Sequence, residues 1–285
     1  MGLKTSFSGV SLPPQKVSNP AIEDFLLPGR VVLPLGHEPH RTCEPLVEVG
    51  DHVKTGQLLG RSDDFLVAPV HASISGRVTD IRPCFDPRGD EVLSVIIESD
   101  GKDEWEEELR TDESFLEKER GQILRDLKAA GVVEIGPPAM PLHAKFAQPE
   151  RPKEFLFLVG IPPIRPIDTL IINGIDAEPG MAAKGAVLKK YSSEITSGIK
   201  ILQKLVGSAK IVLAVGSQDA SLNGDLAGLG VQVFRGKDKY PLGLNPILIK
   251  CVTGREIPLP HGKEEDIGVA AFWWPPPRRP GWRSR

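Results

Sequence analysis

The sequence predicts a mixed α/β protein with an all-β N-terminal region and a central open α/β region. Residues 44–98 alternate apolar and polar positions in short bursts between Gly-Asp, Thr-Gly and Ser-Gly turns, which is typical of small antiparallel strands. Residues 168–235 contain fully apolar runs separated by an amphipathic stretch, which is typical of parallel strands joined by helices. These two hydropathy patterns indicate that the chain changes from an all-β region to an α/β region near its middle.

Composition narrows the possible functions. The 285 residues are 40% apolar and 26% charged, and at roughly 150 residues per domain this predicts about two domains. A net charge of −3 provides no broad basic field, so we expect no nucleic-acid partner. No apolar run reaches the roughly 18 residues that cross a bilayer, and the N-terminus lacks the pattern of a signal peptide. We therefore expect a cytoplasmic protein with no membrane span of its own.

The three cysteines are far apart and form no C-x-x-C pair. We therefore expect free, buried thiols at Cys43, Cys84 and Cys251. Their spacing predicts no iron–sulfur cluster, no cysteine-based zinc site and no disulfide framework. No metal cluster, general-base dyad or nucleophile–histidine pair stands out, so the sequence predicts no metal ligands and no catalytic residues of the hydrolytic kind.

Residues 1–43 are interrupted by prolines and predict an extended arm or edge strands. Residues 47–60 and 68–81, within the 44–98 region, resemble the two halves of the barrel-sandwich hybrid of biotinyl and lipoyl domains. Those carrier domains present a lysine at a hairpin tip, but the corresponding residues 61–69 read RSDDFLVAP. The missing lysine argues against a swinging-arm carrier, and His71 nearby is interpreted as structural.

Residues 99–130 predict an acidic linker followed by a helix. Phe115, Leu116, Ile123, Leu124 and Leu127 have helical spacing. We expect Asp112 or Ser114 to cap this helix and the Ala-Ala-Gly run at 129–131 to end it.

Residues 131–235 predict the open α/β domain. Its strands are expected at 168–174, 210–217 and 231–236, with an amphipathic helix between the first two and a short helical turn before the third. The apolar face of the helix carries Ile195, Ile199, Ile201, Leu202 and Leu205. Ligands of open sheets bind at the carboxyl ends of the strands, here residues 173–178 and 215–218.

Several strings occur in an order that resembles one protein family: SFSGVSLPPQKVSNP near the start, APVHASISGRV, DTLIINGIDAEPGM, and KYPLG with TGREIP. The chain is similar to the RnfC proteins of Rnf-type electron transport complexes. The resemblance implies a domain that binds FMN and NADH, similar to the flavoprotein subunit of respiratory complex I, then a β-grasp-like segment at 236–270 and a ferredoxin domain. It implies electron transfer between NADH and iron–sulfur centres.

The same resemblance implies four cofactor-binding residues. Gly136 falls in the family's flavin loop, G-x-G-G-A-G-F-P, and Lys145 matches the lysine that follows this loop near the flavin phosphate. Asn173 and Glu178 match the string N-G-x-E-C-E-P, and Glu178 is expected to contact the nicotinamide nucleotide. The alternatives are a surface lysine, a turn-forming asparagine and, for Glu178 before Pro179, a favourable charge at a helix N-terminus.

The loop departs from the family pattern and predicts an impaired flavin site. Pro137 and Pro138 each remove a backbone N–H donor, and Ala139 adds a Cβ where the cofactor would lie. Glu134 adds a negative charge, and Met140 replaces the aromatic residue. Several lost donors would weaken the binding of a charged group by powers of ten.

No cysteine follows Cys251, so we expect no iron–sulfur cluster in this chain, and residues 271–285 are interpreted as a disordered or out-of-frame tail. Two functional hypotheses remain. One is an electron-transfer protein that docks on a membrane-bound complex, peripheral on its cytoplasmic face, with the other subunits as partners. The alternative is a cofactor-free scaffold or assembly protein derived from the family. Whether an NADH-linked oxidoreductase activity survives is left open.

Overall fold

The computed structural model divides the chain into two compact units. The N-terminal unit is residues 24–147 with 276–285, and the C-terminal unit is residues 148–275 with 1–23. The structure describes residues 9–11, 22–23, 26–38, 41–86, 88–107, 113–134, 140–147, 166–207, 209–217, 228–237, 239–260 and 262–273.

The regular elements are numbered along the chain. The strands are β1 (Val10–Ser11), β2 (Arg30–Pro34), β3 (Gly36–Glu38), β4 (Arg41–Thr42), β5 (Glu44–Pro45), β6 (His52–Val53), β7 (Leu58–Arg61), β8 (Val70–His71), β9 (Gly76–Phe85), β10 (Glu91–Ser99), β11 (Thr169–Gly174), β12 (Lys210–Val215), β13 (Gln232–Arg235), β14 (Lys239–Tyr240) and β15 (Val269–Phe272). The α-helices are α1 (Arg120–Ala129), α2 (Leu142–Phe146), α3 (Ala183–Lys190), α4 (Ser192–Val206) and α5 (Asn245–Thr253).

Antiparallel strands build the first part of the N-terminal unit, as predicted for a barrel-sandwich hybrid. One sheet has the order β2-β10-β9-β6, a second has the order β5-β7-β8, and β3 pairs with β4. Apolar side chains from these sheets share one core, which contains Leu35, Val53, Leu59, Val78 and Ile97. The predicted arm thus contributes β2 to this unit, whereas β1 pairs with β14 in the C-terminal unit.

In the described part of the N-terminal unit two helices follow these sheets, and Ser114 does not cap the first of them. The other predicted cap, Asp112, lies outside the described residues. Ser114 lies in a separate 3-10 helix, Glu113–Leu116, because Glu117 N donates to the Ser114 carbonyl oxygen and closes a tighter turn. The cap position of α1 is occupied by Glu119, without a side-chain capping bond. The predicted end is confirmed, since α1 stops at Ala129 and Gly131 has a positive φ of 62°.

The C-terminal unit contains the predicted parallel sheet, with the order β13-β12-β11-β15. All six residues of β11 are buried, as expected for an inner parallel strand. The predicted amphipathic helix is two helices, α3 and α4, which meet at Tyr191, and α4 buries Ile195, Ile199, Leu202 and Leu205. The helical turn predicted before β13 lies largely outside the described residues.

The last part of this unit differs from the β-rich segment expected for 236–270. Its longest element is the helix α5, whose Leu248, Ile249 and Val252 are buried against the parallel sheet. Ile247 and Ile257 pack against the same cluster. Residues 271–272, placed in the predicted tail, form the end of β15, because the four residues of this strand are all buried beside β11. The rest of the predicted tail, from residue 274, lies outside the described residues.

The cysteines are free, as predicted, but only Cys43 is fully buried, whereas Cys84 and Cys251 are half-buried.

Candidate functional site

Asn173 is the last residue but one of β11 and is 2% exposed. Its Nδ2 donates to the Gly243 carbonyl oxygen at 2.8 Å and to Asn245 Oδ1 at 2.9 Å, and its Oδ1 accepts from Ile175 N at 3.0 Å. A Cβ on Gly243 would lie 2.2 Å from the Asp176 carbonyl oxygen, so only glycine permits this close approach. Both N–H donors of the Asn173 amide are therefore used to join β11 to Gly243 and to the first residue of α5.

Lys184 is a polar residue of this sheet end that the sequence did not indicate. Its Nζ donates to the Ile175 carbonyl oxygen at 2.8 Å, and its backbone N donates to Asp176 Oδ1 at 3.2 Å. Burial lowers the pKa of Lys184, and the Asp176 carboxylate partly offsets this effect. Asp176, which stands where the family string has its first glutamate, thus ties the loop after β11 to the first turn of α3.

Glu178 is exposed in the loop between β11 and α3. The alternative interpretation of this residue, a charge at a helix N-terminus, is wrong, because α3 begins at Ala183 and has no acidic residue in its first turn. The local contact of Glu178 is through its backbone, whose carbonyl oxygen accepts from Met181 N at 3.4 Å. Its carboxylate is therefore a surface group near the carboxyl end of the parallel sheet.

Lys145 lies on α2 in the N-terminal unit, and the expectation of a surface lysine is wrong. Its Nζ donates to Glu134 Oε2 at 3.0 Å, and the two side chains are 3% and 16% exposed. The segments that carry them run side by side: Glu134 N donates to the Met140 carbonyl oxygen, and Leu142 N donates to the Val132 carbonyl oxygen, each at 2.9 Å. The loop between these segments, including Gly136, lies outside the described residues.

The four predicted cofactor residues therefore fall in two different units. Asn173, in β11, and Glu178, in the loop that follows, belong to the C-terminal unit, whereas Gly136 and Lys145 belong to the N-terminal unit. The sequence presents Glu134, with which Lys145 pairs, only as an unfavourable charge in the flavin loop. Its partnership could have been inferred from the lysine eleven residues later, because a short loop brings its two ends together.

Two of the predicted cofactor-binding residues already have partners within the protein. The Lys145 ammonium already has a carboxylate counter-charge, and the Asn173 amide already donates both of its hydrogens. Among the described residues no group of three or more His, Cys, Asp or Glu side chains could hold a metal ion. Within the same residues, no helix combines the length and the apolarity needed to cross a membrane.

Two family descriptions match the chain. Residues 4–102 match the RnfC barrel sandwich hybrid domain, and residues 127–272 match the Nuo51 FMN-binding domain. The first match covers the antiparallel sheets of the N-terminal unit, and the second runs from the last turn of α1 to the end of β15. The segment of α5 and β15 thus falls within the same family match as β11.

Curated relatives are similar to this chain along most of its length. It is 31% identical over 256 residues to the C subunit of the proton-translocating ferredoxin:NAD(+) oxidoreductase complex of Clostridium ljungdahlii, covering 88% of this chain and 53% of the relative. It is 30% identical over 236 residues to the C subunit of the Na(+)-translocating ferredoxin:NAD(+) oxidoreductase complex of Acetobacterium woodii, covering 81% and 50%. The chain spans about half the length of these two relatives.

Proposed function

Because the chain belongs to the family that joins an RnfC barrel sandwich hybrid domain to a Nuo51 FMN-binding domain, we propose that it acts as the RnfC component of an ion-translocating ferredoxin:NAD(+) oxidoreductase complex. The observation that carries the proposal is the occurrence of both domains in one chain, in this order. The process served would be electron transfer between NADH and iron–sulfur centres held by the partner proteins. The chain would sit peripherally on the cytoplasmic face of the membrane complex.

Within this proposal, Glu178 is the residue that contacts the nicotinamide nucleotide. Its exposed carboxylate lies near the carboxyl end of β11, where open α/β sheets bind their ligands, and a carboxylate accepts hydrogen bonds from ribose hydroxyls. Isothermal titration of the chain with NADH tests this role. We expect Glu178→Gln to weaken NADH binding at least about tenfold, which corresponds to the loss of one charge-assisted hydrogen bond. Equal affinities of the two proteins would remove Glu178 from the site.

Membership of the complex is tested by reconstitution. Membranes that contain a complex of this class, stripped of its RnfC component, are mixed with the purified chain and sedimented. We expect the chain to sediment with stripped membranes and to remain in the supernatant over membranes with an intact complex. Recovery in the supernatant over both preparations would contradict the proposal.

A second candidate is the cofactor-free scaffold, which the Glu134–Lys145 pair and the saturated Asn173 amide favour. An FMN titration followed by flavin fluorescence, with NADH added afterwards, separates the two functions. Micromolar binding with bleaching of the flavin would support direct electron transfer through this chain. Absence of binding at hundreds of micromolar, together with cosedimentation, would support the scaffold.

A further inference from the structure

The ammonium of Lys145 is buried and donates a hydrogen bond to the Glu134 carboxylate. Its side chain is 3% exposed, and its Nζ lies 3.0 Å from Glu134 Oε2. A buried cation is costly unless a nearby negative charge offsets its lost hydration. In this chain the negative charge comes from the protein itself.

Backbone pairing fixes the position of that carboxylate. Val133 bridges to Pro141 in antiparallel fashion, and the two hydrogen bonds that flank the bridge place Glu134 opposite Met140. Lys145 is one turn further along, in α2. Main-chain hydrogen bonds therefore fix the backbone of Glu134, and Lys145 holds its carboxylate.

The sequence of the loop is consistent with a changed role. Where the resembling family places glycine N–H groups and a bound phosphate near its lysine, this chain has Pro137 and Pro138, which have no N–H to donate. Glu134 stands where the family pattern has its first glycine. Glu134 thus adds a negative charge to this segment, and the two prolines remove backbone N–H groups that could bind a phosphate.

We propose that the Glu134 carboxylate replaces the phosphate of a bound ligand as the counter-charge of Lys145, so that this site is closed to phosphate-bearing ligands such as FMN. The inference concerns the anion at Lys145 and holds whether or not the chain joins a membrane complex.

Thermal unfolding in phosphate-free buffer, with and without added inorganic phosphate, tests the proposal on the full chain. We expect Glu134→Gln to lower the Tm by about 5 °C or more, because it removes the counter-charge of a buried cation. Inorganic phosphate should raise the Tm of this variant and leave that of the wild type unchanged. The double variant Glu134→Gln with Lys145→Met should recover most of the lost Tm and show no response to phosphate.

A ligand titration gives the second measurement. FMN should bind Glu134→Gln about tenfold or more tightly than wild type, whereas riboflavin, which lacks the phosphate, should not distinguish the two proteins. Glu104→Gln is the matched control, because Glu104 pairs with Lys54 at 2.9 Å in the same unit but is 47% exposed. This control should show neither the drop in Tm nor the response to phosphate.

Two results would overturn the proposal. The first is stabilisation of the wild type by phosphate or FMN to the same extent as Glu134→Gln. The second is a double variant as unstable as Glu134→Gln, since the defect would then not come from the unpaired lysine. If Glu134→Gln does not fold, the double variant decides alone: the proposal requires that it fold and remain insensitive to phosphate.

Discussion

The imidazole Nε2 of His143 lies 2.7 Å from the backbone carbonyl oxygen of Phe65, and the two rings meet edge to face with their centroids 5.0 Å apart. A carbonyl oxygen only accepts, so Nε2 carries the proton and Nδ1 does not. Residues 62–69 between β7 and β8, where a carrier domain would present its lysine, are thereby attached to α2. The lysine of α2 that pairs with Glu134 lies two residues beyond this contact.

We expect the stability of the chain to fall when His143 is driven towards its charged form. Burial lowers the pKa of His143, the Phe65 carbonyl partly offsets this, and the Lys128 ammonium lowers it further. The unfolded chain therefore binds a proton more readily than the folded chain below the ordinary histidine pKa of 6.5. Urea unfolding between pH 5 and pH 7.5 should show stability rising with pH.

His143→Gln separates this effect from other titrations, because its amide N–H can replace the bond to Phe65 but does not titrate. We expect a flatter pH dependence over the same range in this variant. His71→Gln is the control, since His71 is half-buried in β8 of the same unit. An unchanged slope in His143→Gln would exclude His143 as the source.

Asp100 predicts a separate loss of stability in acid. Hydrogen bonds from Lys102 N and the Ser75 hydroxyl, with a contact to His52, lower the pKa of Asp100 from 3.8 to about 2. Its contribution is complete above pH 3.8 and is lost as the pH falls towards 2. The wild type should therefore lose more stability between pH 5 and pH 2.5 than Asp100→Asn, as measured by urea unfolding. Parallel curves for the two proteins would contradict this assignment.

Asn173→Ala should destabilise the chain by about 1–3 kcal/mol, because it leaves the Gly243 carbonyl and the Ile175 N–H without their buried partner. Asn173→Asp should cost more, since a carboxylate cannot donate to the Gly243 carbonyl oxygen or to Asn245 Oδ1. Chemical unfolding at neutral pH measures both. A stability equal to wild type in both variants would show that the amide is not structural.

Gly76→Ala should destabilise the N-terminal unit by about 3 kcal/mol or more, because the new Cβ would lie 1.9 Å from the Glu98 carbonyl oxygen in the neighbouring strand. Gly29→Ala is the matched control in the same unit, where a Cβ meets nothing within 4 Å. Thermal unfolding should show a large loss for the first variant and a change within about 0.5 kcal/mol for the second. Similar losses in both would show that crowding at residue 76 is relieved by the partner strand.

The sequence locates a strand or a helix correctly where the pattern of burial is uniform along that element. The apolar run at 168–174 and the spacing of Ile195, Ile199 and Leu202 locate β11 and α4 because each has one dominant environment. For the segment 239–258 the sequence predicts a small β-rich unit with a helical turn. Burial of Leu248 and Val252 on one helical face against the sheet outweighs the preference of Ile and Val for strands.

The candidate site is less predictable because its decisive contacts are not local. Asn173 and Asn245 are 72 positions apart, and no pattern in either segment announces their hydrogen bond. Lys145 can be matched to a family position, but its partner is set by the pairing of Val133 with Pro141. The sequence places Glu178 near the end of the sheet, but it does not reveal that α3 begins five residues later, at Ala183.

The place of β15 beside β11 has a consequence for biosynthesis. Thr169 of β11 pairs with Val269 of β15, one hundred positions later, while β12 and β13 take the other side of β11. One edge of β11 thus stays without its partner strand until residues 269–272 have been translated, and pairings of such long sequence separation form slowly. The C-terminal unit is therefore expected to reach its native state only after translation of this strand, and to depend on protection from aggregation until then.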